Sequence, residues 1–569
     1  MSGLHSRAGT GSAWPQFVKT TFATLTLLSV ALSLAACDVS EDSTPEPDPP
    51  AEEVGLDPTA ILIRSSLDVR GTRPTAEELA TIIEDPAQID ALVDAMVDDP
   101  RFGARARTIF ADALRTRKDT YRYGAVSLYL DPAVDPSLQH ALAEEQLALV
   151  EFVAVNDLPL TEILTADYTL VEPVLLEVWP LLADEPQPEG LPSGTVLARY
   201  TDGRPSAGIL STNSFYWRHT STVENANRGR TNAITSALLC ENYLDRPIDF
   251  PTDVDLTDSA AILNAVQTNE ACLACHATLD PFASHLWGFM QFTDDATDAS
   301  TYKPAGELAW DGYTGAVPAY FGVPTLGTVD ALAPAIAADG RFVSCTVRRT
   351  YESFMGRPTE PADDGHLTAH RDVFIASGLS LKALVRSVLQ DPAYRGLTEP
   401  SAYGGEAAAV PLKIVSPETL ASSLADLTGW EMYLGGRQAT SVDFGLRALA
   451  GGSDRGAVQT ASLGNVLVHR RLAEGGARSL VDGLMPESRV GLILQGVDWS
   501  DRPAPEALSA LMLEIRSTAL AVDDPEIERL LSLWDAVLSE SVALESGAGA
   551  EAWLAVLTAL FADPTLAVY

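Results

Sequence analysis

The chain has 569 residues, 46% of them hydrophobic, and carries 78 acidic against 38 basic side chains for a formal net charge of −40. That length and apolar fraction suffice for about two to four domain-sized cores. The charge argues against a nucleic-acid partner, whose phosphates it would repel, and against a polybasic membrane patch. It favours solubility and steering towards a partner with a basic docking face.

The first 36 residues have the proportions of a signal peptide. Arg7 and Lys19 form a basic region ahead of the apolar run FATLTLLSVALSLAA at 22–36, which is short for a membrane span. The run ends Leu34-Ala35-Ala36-Cys37, which resembles a bacterial lipobox and implies lipidation of Cys37 as the first mature residue. Residues 37–54 are acidic and proline-rich and cannot pack a core, so they read as a tether. Lipid, tether and folded body are the layout of a cell-envelope lipoprotein, lipid-anchored at the periplasm or cell surface, whose only membrane contact is the anchor.

The body reads as mainly α, a multi-domain helical protein with few short strands. Thr75 and Glu78 make a capping box, and Ser416-Pro417 puts a capping serine before a proline at the first helical position. Helical periodicity runs through 139–154, 328–338, 379–390, 417–427, 505–521 and 526–545, whereas Thr195–Tyr200 reads as a strand. Segments 182–194 and 396–410 are rich in Pro, Gly and small residues and read as linkers or long loops. The expected divisions are 55–181, 195–300, 301–395 and 411–569. Three stretches, 91–102, 383–394 and 555–566, share a helix, then Asp-Pro, then an apolar residue two positions on. Each follows an Arg-Pro, at Arg73, Arg357 and Arg502, and together they read as three related helical modules in which proline stops the helix and the apolar residue folds back.

The densest signal is Cys272-Leu273-Ala274-Cys275-His276, the C-x-x-C-H attachment sequence of haem c. Two thiols at this spacing can add to the two vinyl groups of one porphyrin, and the adjacent histidine can ligate the iron. A redox dithiol or half of a zinc site is the alternative, but neither a strand-turn-helix context nor a second ligand pair accompanies it. The expected cofactor is one haem c with His276 as proximal ligand. For the far side of the iron, Met355, Met290 and His285 are candidates beside an open position. Arg228, Arg349 and Arg357 are candidates for the haem propionates. Of five cysteines, Cys240 and Cys345 remain, and an oxidising compartment makes them a candidate disulfide, with two buried thiols as the alternative. His366 and His370, with Asp363 and Asp364, read as an exposed polar turn or, less simply, a metal site. The chain holds no H-E-x-x-H, G-x-S-x-G or P-loop sequence, so hydrolase and nucleotide readings lack support.

Residues 63–78 (IRSSLDVRGTRPTAEE) followed by Asp99-Pro100-Arg101-Phe102-Gly103 resemble the opening domain of the planctomycete-type cytochrome c family, large secreted proteins built from domains of unknown function. Asn227-Arg228-Gly229-Arg230, Leu238-Leu239-Cys240 and the haem motif with Asp280-Pro281 resemble the family's haem-motif domain. Residues 342–349 with Gly356-Arg357 resemble the domain that usually follows it. The resemblance covers about 60–395 and departs from the family pattern at 282–295 (FASHLWGFMQFTDD). It implies architecture more than activity. Single-electron transfer to an unidentified redox partner is the expected function, with a haem peroxidase or oxidase, or an envelope scaffold with structural haem, as alternatives.

Overall fold

The computed structural model describes residues 55–117, 135–247, 254–255, 257–290, 301–397, 412–434, 437–438, 445–453, 460–541 and 547–569. The signal segment, Cys37, the tether and most of the 396–410 segment lie outside them. Among the described residues the chain is mainly helical, with twenty-three α-helices and seven short strands.

Local chemistry sets the first helices. Helix α1 (Pro58–Arg70) opens with Asp57 accepting from the Ala60 amide and closes at Gly71, whose φ of 68° a side chain would disfavour. Helix α2 (Ala76–Glu84) starts at the Thr75/Glu78 capping box, with both reciprocal hydrogen bonds present. Helices α3 (Ile89–Val97) and α4 (Phe102–Leu114) follow, then the long α5 (Asp135–Val155). Residues 141–150 of α5 are buried on every side, which explains why the helix lacks a polar face. Its polar residues therefore need partners inside the protein. Glu144 receives Arg107 and Arg117 at 2.9 and 2.7 Å. Glu145 receives Ser214 Oγ at 2.6 Å and Tyr200 Oη at 2.8 Å, and burial pushes its carboxyl up.

Short helices α6 (Glu162–Thr165) and α7 (Pro173–Val178) flank a three-stranded antiparallel sheet of β1 (Thr169–Val171), β2 (Leu181–Ala183) and β3 (Val196–Tyr200), in the order β1-β3-β2. Leu170 pairs with Leu197 and Leu182 with Arg199. Of the two readings of 182–194, linker or long loop, the structure shows the long loop: it joins two strands of one sheet, and the Gln187 side chain pins it by accepting from the Leu197 amide at 2.8 Å.

The chain continues through α8 (Asn213–Arg218), α9 (Arg228–Leu239), α10 (Ser259–Thr268), α11 (Glu270–Ala283), α12 (Trp310–Tyr313), a β4/β5 ribbon (Ala319–Tyr320 and Val323–Pro324), α13 (Val329–Ala337), α14 (Gly340–Met355), α15 (Asp364–Ala376) and α16 (Leu381–Leu389). One continuous apolar core joins residues from Ile61 to Tyr394. It runs through segments that the sequence divides into three. A second core gathers Leu67 with residues from Val415 to Leu566. It is built on α17 (Pro417–Thr428), α18 (Gly445–Leu449), α19 (Leu463–Val481), α20 (Arg489–Ile493), α21 (Pro505–Arg516), α22 (Pro525–Ser541) and α23 (Ala548–Phe561). A β6/β7 ribbon (Tyr433–Leu434 and Arg437–Gln438) lies between α17 and α18 in the chain.

The three Asp-Pro stretches share more than a helix stop. In each, the aspartate accepts from the backbone amide two residues on: Arg101 to Asp99 at 2.9 Å, Ala393 to Asp391 at 2.7 Å and Thr565 to Asp563 at 2.8 Å. In each, the following apolar residue is buried: Phe102, Tyr394 and Leu566. Each aspartate also holds a side chain from an earlier helix, respectively Arg70, the pair His366 and His370, and Arg516. Arg73, from the first of the Arg-Pro pairs, reaches the C-terminal core and donates to the Arg516 carbonyl at 3.0 Å and to Ser517 Oγ at 3.3 Å.

A buried polar knot ties the chain's far ends. Asp68 of α1 accepts from Tyr394 Oη at 2.9 Å, from Tyr569 Oη at 2.7 Å and from Lys413 Nζ. Lys413 and Tyr569 exchange backbone hydrogen bonds at 2.8 and 3.0 Å.

Candidate functional site

Helix α11 carries the C-x-x-C-H sequence. Asn269 caps it by accepting from the Ala271 amide at 3.0 Å. Positions 272, 275 and 276 are spaced i, i+3 and i+4, so all three side chains share one helix face. They are half-buried, and Cys272 and Cys275 are free thiols.

His276 is oriented from behind. Its Nδ1 lies 2.9 Å from Asp280 Oδ1, one turn along the helix. A carboxylate accepts, so Nδ1 carries the proton and the Nε2 lone pair is left for a ligand. Asp280 is in turn gripped by Arg228 of α9 through Nε at 2.7 Å and Nη2 at 2.8 Å. Burial alone would push the Asp280 carboxyl up, but hydrogen bonds from Arg228 and His276 hold it below the usual carboxylate range. Two further contacts steady the helix: Tyr243 Oη bonds Thr278 Oγ1 at 3.0 Å, and Arg246 donates to the Ala274 carbonyl at 3.1 Å.

The surroundings are apolar and open. Leu263 is exposed on α10, which packs beside α11, Leu244 on the turn whose Tyr243 bonds Thr278, and Val323 on β5, which pairs with the β4 strand that packs on α11. Two free thiols, an imidazole with one nitrogen committed and the other available, and an uncovered apolar rim fit a covalently attached haem. Cys272 and Cys275 would hold the porphyrin and His276 the iron.

The other candidates are dispersed. Met290 is fully buried with Ala226 and Trp287, two residues along the chain from Arg228 on the Ala226 side. Met355 is buried in the main core, ten residues past Cys345, about 15 Å along α14. His285 has both ring nitrogens engaged: Nδ1 donates to the Phe282 carbonyl at 2.9 Å and Nε2 accepts from Thr325 Oγ1 at 2.6 Å. Burial pulls its pKa down, so it sits neutral and committed. Arg228 serves Asp280, Arg357 serves Asp363 at 2.7 Å, and Arg349 donates to the Ser236 carbonyl. A disulfide joins Cys240 at the end of α9 to Cys345 in α14, with the Cα atoms 5.3 Å apart.

His366 and His370 are not in an exposed turn. Both lie on α15, and His370 is buried. Their shared carboxylate is Asp391, 2.8 Å from His366 Nδ1 and 2.9 Å from His370 Nε2. Asp363 instead pairs with Arg357 and Tyr351. Among the described residues no group of three or more His, Cys, Asp and Glu is arranged to hold a metal ion.

Sequence reasoning singled out Arg228 as a propionate candidate and Asp280 as part of the family's motif, but missed the role of both behind His276. Asp280 stands four residues past the histidine on what reads as a helix, a visible signal for that role. The Arg228 grip on it had no such signal, because the two lie 52 positions apart.

Residues 74–180 match the PSD4 family, described as a protein of unknown function (DUF1592). The match spans α2 to the end of α7 and ends well before the haem motif. No curated protein and no solved structure matches the chain. Among the described residues no helix is long and apolar enough to cross a membrane.

Proposed function

We propose that this protein is a cell-envelope lipoprotein that carries one covalent haem c on Cys272 and Cys275, with His276 as proximal iron ligand, and passes single electrons to a redox partner. The arrangement of His276, Asp280 and Arg228 carries the reading: it fixes the tautomer and leaves Nε2 available beside two free thiols. Bound there, haem would supply one-electron redox chemistry. The protein's part is to hold the imidazole in one orientation, to keep Nδ1 protonated and to offer an exposed apolar face for docking. The match of residues 74–180 to a family of unknown function is consistent with the resemblance of residues 60–395 to planctomycete-type cytochromes c.

The same carboxylate favours a second reading, a haem peroxidase or oxidase. A carboxylate partner raises the basicity of a ligating imidazole more than a carbonyl does. A denaturing gel stained for haem should show one band that Cys272→Ala with Cys275→Ala abolishes; a surviving band would remove both readings. On the purified protein, a spectrum insensitive to cyanide and carbon monoxide supports electron transfer. A ferric high-spin spectrum that binds cyanide supports the enzyme.

A further inference from the structure

A cavity of about 320 Å³ opens where α4, α14 and the 412–419 segment meet, away from α11. That volume is in the range of small-ligand pockets. Five of its lining side chains are cationic, in a chain whose net charge is −40.

Three of these cations are matched. Arg447 is paired with Asp112 and Glu418 at 2.6 and 3.0 Å, Arg357 with Asp363, and Lys413 with Asp68. Arg105 and Arg349 have no carboxylate within salt-bridge reach among the described residues. Arg105 donates to the Ser353 hydroxyl and carbonyl at 2.9 and 3.3 Å, and Arg349 to the Ser236 carbonyl. The Nε of each is buried without an acceptor. Of the acidic lining residues, Asp68 is taken by Lys413 and Asp112 by Arg447, and Glu352 Oε1 already accepts from Thr359 N and Oγ1 at 3.1 and 3.0 Å.

Positive charge also lies deeper. Arg64 is 2% exposed, with Nε and Nη2 lacking acceptors and its guanidinium 4.7 Å from the Tyr394 ring centre. Arg64, Arg105 and Lys413 thus surround the single carboxylate of Asp68 in a low-dielectric setting. Burial, with further repulsion from Arg64 and Arg105, pulls Lys413 down to about 7, and burial pulls Arg349 below its ordinary value. Desolvated guanidinium groups lacking a counter-ion are costly on their own and bind oxoanions strongly.

We propose that this cavity binds a small ligand bearing a carboxylate or phosphate group, held by the guanidinium forks of Arg105 and Arg349. The reading is independent of haem. Hydrogen bonds already made by Ser353 and Ser236 orient both forks, so the site is formed before the ligand arrives.

The test is calorimetric titration of the mature chain with inorganic phosphate and, separately, malonate, against chloride at matched ionic strength. The two probes separate the phosphate from the carboxylate source. Saturable binding of at least one is expected, weakened roughly tenfold or more by Arg105→Gln or Arg349→Gln. Either variant should keep the wild-type circular dichroism spectrum. If a glutamine variant fails to fold, Arg105→Lys keeps the charge and loses the fork, and weaker binding is again expected. No saturable binding of either probe, or binding that no substitution at 105 or 349 weakens, would overturn the proposal.

Discussion

Removing the Cys240–Cys345 bond tests how much of the main core depends on a covalent clasp. The bond closes a loop of 105 residues that contains all of α10 to α13. Restricting the unfolded chain by a loop of that length is worth about 4.7 kcal/mol in the chain-entropy model. The native geometry does not depend on the sulfurs alone. Ala237 and Leu238 of α9 pack in the same core as Phe342 and Val347 of α14, and Arg349 ties α14 to the Ser236 carbonyl. The folded state of a Cys240→Ser/Cys345→Ser variant should therefore persist, and the loss should act mainly through the unfolded chain. In urea titrations followed by helical circular dichroism, we expect the midpoint to fall by the equivalent of about 3–5 kcal/mol. Reduced wild type should fall by the same amount. A loss below about 1 kcal/mol in both would refute the argument, because a 105-residue loop cannot be so cheap to leave open unless the unfolded chain is already ordered there.

Three further outcomes are expected. His219 donates Nε2–H to the Leu114 carbonyl at 3.0 Å, and burial holds its pKa near 3 against an ordinary 6.5. The unfolded chain takes up that proton first, so stability should drop as pH falls below 6.5, by at most about 2 kcal/mol at pH 5; His219→Gln should flatten the thermal-midpoint profile between pH 7 and 5, and an unchanged slope would count against it. Asp68→Asn removes the anion that Lys413, Arg64 and Arg105 face and should cost about 3 kcal/mol in a urea midpoint measurement, whereas a change within error would show the knot to be idle. Labelled palmitate should enter the wild-type chain and not Cys37→Ser, and release of the wild type as a soluble protein would contradict lipid anchoring.

Helices were legible wherever a cap or a clean apolar period marked them. The Thr75/Glu78 capping box and the Ser416 cap are local, so sequence reading places α2 and α17 within a residue or two. Helix α21 stops at Arg516, short of the expected 521, because Ser517 takes a left-handed conformation that no local composition signals. The 182–194 segment, read as a linker or a long loop, is a long loop joining two strands, because proline and glycine mark a strand-to-strand connection as readily as a domain boundary. His366 and His370 misled. Their spacing correctly put them on one face, but their carboxylate comes from the Asp-Pro of the next helix, and sequence proximity favoured Asp363 and Asp364. The haem-type motif announces itself in five residues, whereas the Arg228 grip on Asp280 and the cavity of Arg105 and Arg349 arise only when distant helices meet.

The knot at Asp68 bears on the order in which the chain is made. Its carboxylate emerges early, yet one of its donors, Tyr569, follows 501 positions later, and Lys413 follows 345 later. Until both arrive, a nascent or truncated chain that buries α1 must leave that carboxylate short of two of its donors, or keep that end of the core ajar. Helix-by-helix folding from the N-terminus can then proceed but cannot finish. Closing that end of the fold waits for residues 413 and 569, and a chain cut before them is expected to be more open to proteolysis.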